Sequence, residues 1–128
     1  MTQEDKKLLL VDISARLPYG VICQVDDGAA GLNDGKLVEI DISKELVRFD
    51  ADYYWDAYID DIKPYLRPIS SMTEEEEKEF NKVVYDSTDI DYISPCVCVA
   101  NWMCSKYFDV NGLIPKGLAI EVTEGMYK

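Results

Sequence analysis

The chain has 128 residues, of which 48% are hydrophobic, and it carries a formal net charge of -12. A chain of this length fits one domain, and folding removes about two-thirds of its unfolded surface from water, so it needs no disulfide or metal. Residues 1–72 hold 14 acidic and 8 basic side chains and residues 73–128 hold 11 and 5, so each part carries -6. Binding to a phosphate backbone needs clustered lysines and arginines, so we expect no nucleic-acid partner.

The N-terminal residues 1–17 do not have the features of a signal peptide. They lack a basic segment, and Asp12 interrupts the apolar run 8–11. No apolar run approaches the roughly 20 residues that a membrane-spanning helix needs. We therefore expect a cytoplasmic protein with no membrane partner, whose four cysteines are reduced thiols.

The pattern of apolar residues predicts a helix over residues 1–17. Thr2 is a suitable N-cap, and Leu9 or Leu10, Ile13 and Leu17 recur at spacings of three and four. The segment "LPYG" (17–20) ends the helix, because a residue before proline avoids helical geometry and glycine permits a turn.

Residues 20–71 have the pattern of an antiparallel β subdomain. We predict strands at 20–26, 36–42, 45–50 and 53–62, a loop at 26–35, one helical turn in 60–65 and a short fifth strand at 66–70. In the second strand, Val38, Ile40 and Ile42 should share one face. Five short strands in this order match the layout of an SH3-like barrel, and an open curled sheet covered by helices is the alternative.

Residues 73–128 should form two helices and a packed tail. Thr73 and Glu76 have the spacing of a capping box, which makes the run of four glutamates the start of a helix. A further helix should begin at Ser94 with Pro95 in its first turn, although "CVCVA" (96–100) is also compatible with a strand. The whole chain, 1–128, is thus predicted to be a single α+β domain.

The absence of histidine limits the possible chemistry. Ser-His-Asp and Cys-His catalysis are excluded, and so are metal sites with imidazole ligands. Cys96 and Cys98 do not have zinc-ribbon spacing, the acidic segment 86–91 lacks the pattern of a calcium loop, and the glycine-rich segment 26–35 lacks the ending of a phosphate-binding loop. We therefore predict no cofactor, no metal, no catalytic residues and no enzymatic activity.

Aromatic side chains are the strongest indication of a binding surface. Tyrosine, tryptophan and arginine dominate protein interfaces, and one strand carries several of the rings. The candidate interaction surface comprises Tyr53, Tyr54, Trp55, Tyr65, Arg67 and Trp102. Its expected partner is another protein or a second copy of the chain. The alternative is that these rings only join the sheet to the helices.

Three phrases in the chain carry a resemblance: "RLPYG" (16–20), "IKPYLRPISSMTEEE" (62–76) and "FDVNGLIPKGLAIEVTEGMY" (108–127). On these phrases the chain resembles a group of uncharacterised small proteins from gut bacteria and their phages and mobile elements. The resemblance implies an accessory protein of phage or mobile-element origin, and it implies no activity and no site residues.

Two functional classes follow from the residues. The first is a non-enzymatic protein-interaction or regulatory protein, with an acidic decoy that mimics nucleic acid as a special case. The second is a small hydrolase that uses a pair of carboxylates, since a chain with 25 acidic residues places some pairs close together by chance. A pocket with two convergent carboxylates of separated pKa would favour the hydrolase.

Overall fold

The structure is a computed structural model that describes residues 1–26, 28, 31–50, 54–87, 95–123 and 125–127, with the backbone alone at 54, 55, 86, 87, 95 and 96. It has the predicted α+β fold, with an N-terminal helix, a six-stranded mixed sheet and two later helices. The helices are α1 (Gln3–Arg16), α2 (Glu74–Ser87) and α3 (Pro95–Ser105). Among these described helices, none combines the length and the apolar character that crossing a lipid bilayer requires.

Helix α1 lies within the predicted range 1–17 and begins directly after Thr2, the predicted N-cap. The Thr2 hydroxyl accepts from the Asp5 amide, and the Asp5 carboxylate accepts from the Thr2 amide, so the two form a capping box. A single 3-10 turn at Leu17–Tyr19 follows, and Gly20 closes it in the left-handed conformation (φ 69°) that favours glycine. Leu9 and Ile13 are fully buried against the sheet.

The sheet is an antiparallel meander with a return strand. Its strands are β1 (Ile22–Asp26), β2 (Leu32–Asp41), β3 (Leu46–Asp50), β4 (Tyr54–Tyr58), β5 (Ile62–Leu66) and β6 (Ile120–Glu121). Their spatial order is β4-β3-β2-β1-β5-β6, in which only the β5–β6 pair is parallel. The helical turn predicted in 60–65 lies at Ile59–Asp61, because β4 ends at Tyr58 and residues 62–66 form β5. β5 then returns to pair with β1.

The possibility of a closed five-stranded barrel is wrong. The described strands form an open sheet with β4 at one edge and β6 at the other. The tail adds β6 beside β5. The fifth strand, expected to complete a barrel, therefore lies between β1 and β6 in the open sheet.

Two strand boundaries also differ from the prediction. β2 begins at Leu32, so the predicted loop 26–35 is too long, because residues 32–36 pair with β1. The fifth strand lies at Ile62–Leu66 and shares only Leu66 with the predicted 66–70, and a 3-10 turn follows at Ile69–Ser71. Pro64 is tolerated because β6 reaches only Tyr65 and Leu66, so β1 alone flanks the strand at the proline.

The predicted alternation in β2 is wrong because the strand contains a bulge. The pairing with β3 shifts between Leu37 and Glu39, which leaves Val38 as the extra residue. Leu37 is therefore buried, and Ile42, predicted to share the apolar face, lies in the following turn with 65% of its surface exposed.

The later helices and the tail complete the core. Segment 96–100 is helical and not a strand. The tail is packed as predicted, with Leu113, Leu118 and Ala119 buried among residues of α1 and the sheet. The sheet therefore has α1 and the tail over its core face, and α2 packs against α3 beside the end of β5.

Candidate functional site

The structure does not unite the six residues of the predicted interaction surface. Tyr53 lies outside the described residues, and only the backbone is described for Tyr54 and Trp55 in β4. Tyr65 lies in β5, and three strands separate β5 from β4 in the sheet. The role of the β4 rings stays a prediction, and the other predicted residues belong to a different region.

Tyr65 is largely buried and occupied within the chain. Its hydroxyl donates to the Asp34 carboxylate at 2.9 Å and accepts from the Gln24 amide at 3.3 Å. Burial and the hydrogen bond to Asp34 raise its pKa. Tyr65 thus connects β5 to the neighbouring strands within the chain.

Trp102 packs inside the chain between the later helices. Its ring centroid lies 5.8 Å from that of Phe80 in α2 and 6.0 Å from that of Phe108, which follows α3. The half-buried ring of Trp102 therefore joins α2 and α3 to Phe108, as expected if the predicted rings only connect elements of the fold.

Arg67 connects three elements at the end of β5. Its guanidinium lies 4.4 Å from the centre of the Phe108 ring and forms a fork with Glu76, at 2.6 and 2.7 Å. Glu76 also completes the predicted capping box of α2, since its carboxylate accepts from the Thr73 amide and the Thr73 hydroxyl accepts from the Glu76 amide. The hydrogen bonds from Arg67 are the largest cause that lowers the pKa of Glu76 to about 2.

An open pocket of about 450 Å³ lies beside this Arg67–Glu76 pair. It is bordered by the end of β5, the start of α2, the end of α3 and the C-terminal tail, and we call it the tail pocket. Its lining mixes charged, hydroxyl and apolar groups: Arg67, Ser71, Glu76, Ser105, Lys106, Tyr107, Val122, Thr123, Gly125, Met126 and Tyr127.

Two stacked tyrosines form one wall of the tail pocket. The rings of Tyr107 and Tyr127 lie 3.7 Å apart and nearly parallel, at 8°. The Tyr127 hydroxyl accepts from the Ile22 amide at 2.8 Å and donates to the Tyr65 carbonyl at 2.8 Å, which fixes the tail to β1 and β5. The Tyr107 hydroxyl donates to the Tyr19 carbonyl. Burial raises the pKa of both phenols, so they stay protonated and act as anchors.

The tail pocket has few groups suited to catalysis. Among the described lining residues, Glu76 holds the only carboxylate, and both of its oxygens are bound to Arg67. A carboxyl group with a pKa of about 2 is ionised at neutral pH and is therefore a poor proton donor. The remaining side chains offer hydrogen-bond donors, two cations and aromatic surface, which suit binding.

Two of the described thiols are buried. Burial raises the pKa of the Cys23 and Cys104 thiols, which makes them poor nucleophiles at neutral pH. In the part of the chain that the structure describes, no group of three or more carboxylates and thiols is placed to hold a metal ion.

A buried ion pair within α1 was not predicted from the sequence. Asp12 and Arg16 of α1 are both fully buried, with Arg16 Nε 2.7 Å from Asp12 Oδ1. A terminal nitrogen of Arg16 donates to the Phe108 carbonyl at 2.6 Å, and Asn111 donates to Asp12 at 2.8 Å. The only signal in the sequence is the i, i+4 spacing of aspartate and arginine, which is equally typical of an exposed helix surface.

Comparisons with family models, curated proteins and solved structures find no significant match to this chain. Function is therefore inferred from the residues of the site alone.

Proposed function

We propose that this chain is a non-enzymatic protein-interaction or regulatory accessory protein, of phage or mobile-element origin, that binds its partner in the tail pocket. The observation that carries the proposal is the state of Glu76, whose carboxylate is fixed by Arg67 on the border of an otherwise accessible pocket. A pocket with this composition binds a ligand without supplying a general acid.

The lining of the tail pocket favours a protein as the ligand. Tyr107, Tyr127, Val122 and Met126 supply aromatic and apolar surface, and polar groups surround them. Interfaces between proteins combine such an aromatic or apolar centre with a polar border, and tyrosine and arginine are enriched in them. A side chain or short loop of a partner has the right size for about 450 Å³.

The alternatives have less support. A hydrolase with paired carboxylates needs one carboxyl group of raised pKa, and the pKa of Glu76 is lowered. An acidic mimic of nucleic acid needs its negative charge concentrated on one surface, and each part of the chain carries the same -6.

The experiment is affinity capture from the native host, followed by measurement of the affinity of the purified partner. Thr123→Trp places a bulky ring in the tail pocket, and Lys82→Trp adds the same ring at an exposed position of α2 outside it. We expect Thr123→Trp to lose the partner and Lys82→Trp to retain it. Equal binding by both variants would refute the pocket as the binding site. A hydrolytic activity lost only in Thr123→Trp would favour the enzyme instead.

A further inference from the structure

The edge of the sheet opposite the tail pocket is formed by β4. In the described part of the chain, β4 pairs with β3 alone, through the register Leu46↔Tyr58 to Asp50↔Tyr54. Its other side faces away from the sheet. A strand edge of this kind presents unpaired amides and carbonyls, to which an extended segment of another chain can add as a new strand.

The register identifies which backbone groups point outward. The Ile59 amide donates to the Glu45 carbonyl at 2.9 Å, so residues 45 and 59 form a hydrogen-bonded pair in the same register as β3 and β4. Bonded and non-bonded pairs alternate along an antiparallel ladder. The amides of Trp55 and Ala57 therefore point to β3, and those of Tyr54, Asp56 and Tyr58 point away from it.

The region around this edge is acidic. Residues 46–61 contain one arginine and five aspartates, namely Arg48 and Asp50, Asp52, Asp56, Asp60 and Asp61. Arg48 is already shared between Asp56, at 2.9 Å, and Glu39, at 3.1 Å. Lys6 of α1 also pairs with Asp60, at 3.3 Å. The region keeps an excess of negative charge, because Asp50 and Asp61 form no ion pair with a described residue.

From this geometry we propose that β4 is a docking edge for a basic, extended segment of another protein, which adds as a seventh strand beside Tyr54–Tyr58. Charge complementarity selects this partner, since lysine or arginine side chains of the added strand would lie beside Asp56. A second copy of the chain is disfavoured, because it would bring two acidic edges together and each chain carries -12. This surface is separate from the tail pocket, so it goes beyond the function proposed above.

The exposed face of β4 adds side-chain selectivity. Asp56 and Tyr58 both project from the outer face, and Tyr58 exposes 60% of its surface. A lysine or arginine in the added strand can pair with the Asp56 carboxylate and lie over the Tyr58 ring. Because side chains alternate along a strand, the partner needs basic residues at every second position.

The test uses the full chain and a blocked seven-residue peptide of alternating valine and lysine. We expect the peptide to bind and to slow hydrogen exchange of the Tyr54, Asp56 and Tyr58 amides, while exchange at Trp55 and Ala57 stays unchanged. The matched control is the same peptide with alternate backbone nitrogens methylated, which keeps its charge and side chains but cannot pair. Methylation should weaken binding by about tenfold or more, as the loss of one or two hydrogen bonds implies.

Two variants separate the contributions of backbone and charge. Asp56→Asn removes the carboxylate and keeps the outward amide, whereas Asp56→Pro also removes the amide at an edge position that tolerates proline. We expect weaker binding in Asp56→Asn and none in Asp56→Pro. Equal affinity for the methylated peptide would refute strand addition, as would the absence of binding to the unmodified peptide. A dimer of the chain that protects the same three amides would refute the basic partner in favour of a second copy.

Discussion

Two arginines contact Phe108 from opposite parts of the fold, and each is paired with a carboxylate. Arg16 donates to the carbonyl of Phe108 and is paired with Asp12, and all of these groups are buried. Arg67 lies over the ring of Phe108 and is paired with Glu76, with 20% and 15% of the two side chains exposed. The first pair lies within one helix, and the second joins β5 to α2.

The difference in burial determines what each pair contributes. Removing a charge from water is costly, so the Asp12–Arg16 pair is favourable only while every partner is present, and one terminal nitrogen of Arg16 already lacks a described partner. The Arg67–Glu76 pair retains contact with solvent and also caps α2, so it fixes the border of the tail pocket at a lower desolvation cost. The two pairs should therefore respond differently to the loss of one carboxylate.

The largest effect is expected for Asp12→Ala. The variant leaves the Arg16 charge buried without its carboxylate and removes an acceptor from Asn111, so the free energy of unfolding should fall by about 3–5 kcal/mol. Urea denaturation measures it. The control is the double variant Asp12→Leu/Arg16→Met, which removes both charges and should recover much of the loss. Surface ion pairs typically contribute no more than about 1 kcal/mol. If Asp12→Ala lost less than that, burial of the Asp12–Arg16 pair would not make it more important to stability than a surface pair.

Glu76→Gln should have a smaller effect. Glutamine can still accept from the Thr73 amide and from one nitrogen of Arg67. Its NH2 group cannot accept the second hydrogen bond from Arg67 and the ion pair is lost, so we expect a loss of about 1–3 kcal/mol. Glu75→Gln, at an exposed position in the same turn of α2, is the matched control and should cost only a few tenths of a kcal/mol. If both variants lost the same stability, the dipole of α2 and not Arg67 would account for the effect.

The same pair predicts a specific pH dependence. The pKa of Glu76 falls from its usual 4.5 to about 2 in the folded chain, so its stabilising contribution is present above about pH 4.5 and is lost as the pH falls towards 2. Other carboxylates titrate in this range, so the informative quantity is the difference in unfolding free energy between the wild type and Glu76→Gln. We expect that difference to shrink between pH 5 and 2, and a constant difference would contradict the role of the ionised carboxylate.

The two pairs also show how far the sequence predicts the site. The capping box of Thr73 and Glu76 follows from local spacing, and so do the limits of α1. The partner of Glu76 did not follow, because the predicted fifth strand includes Arg67, whereas β5 ends at Leu66, four residues earlier than predicted. The Asp12–Arg16 pair is buried by contacts with Phe108 and Asn111, which are 92 and 99 residues away from their partners. Local patterns carry no information on such contacts.

The tail and the sheet show the same limit. Apolar residues near glycines and proline predict that the tail packs, but nothing in the sequence indicates that Tyr127 binds between β1 and β5. The bulge at Val38 likewise depends on the pairing of β2 with β3, because the apolar alternation of residues 37–42 fits a regular strand equally well. The α+β class was therefore predictable, whereas the border of the tail pocket was not.

The smallest effect is expected for the third arginine, Arg48, which bridges Glu39 and Asp56 on the exposed face of the sheet. Its side chain is 46% exposed, and its partners are 61% and 50% exposed, so water and salt screen both ion pairs. We expect Arg48→Gln to lower the stability less than Glu76→Gln does, and the change to vanish in 1 M sodium chloride. Thermal unfolding at low and high salt measures it. Because Asp56 then loses its cation, the same variant should bind the valine–lysine peptide more tightly at low salt. A large, salt-independent loss of stability in Arg48→Gln would mean that the burial of an arginine does not determine how much its ion pairs contribute to stability.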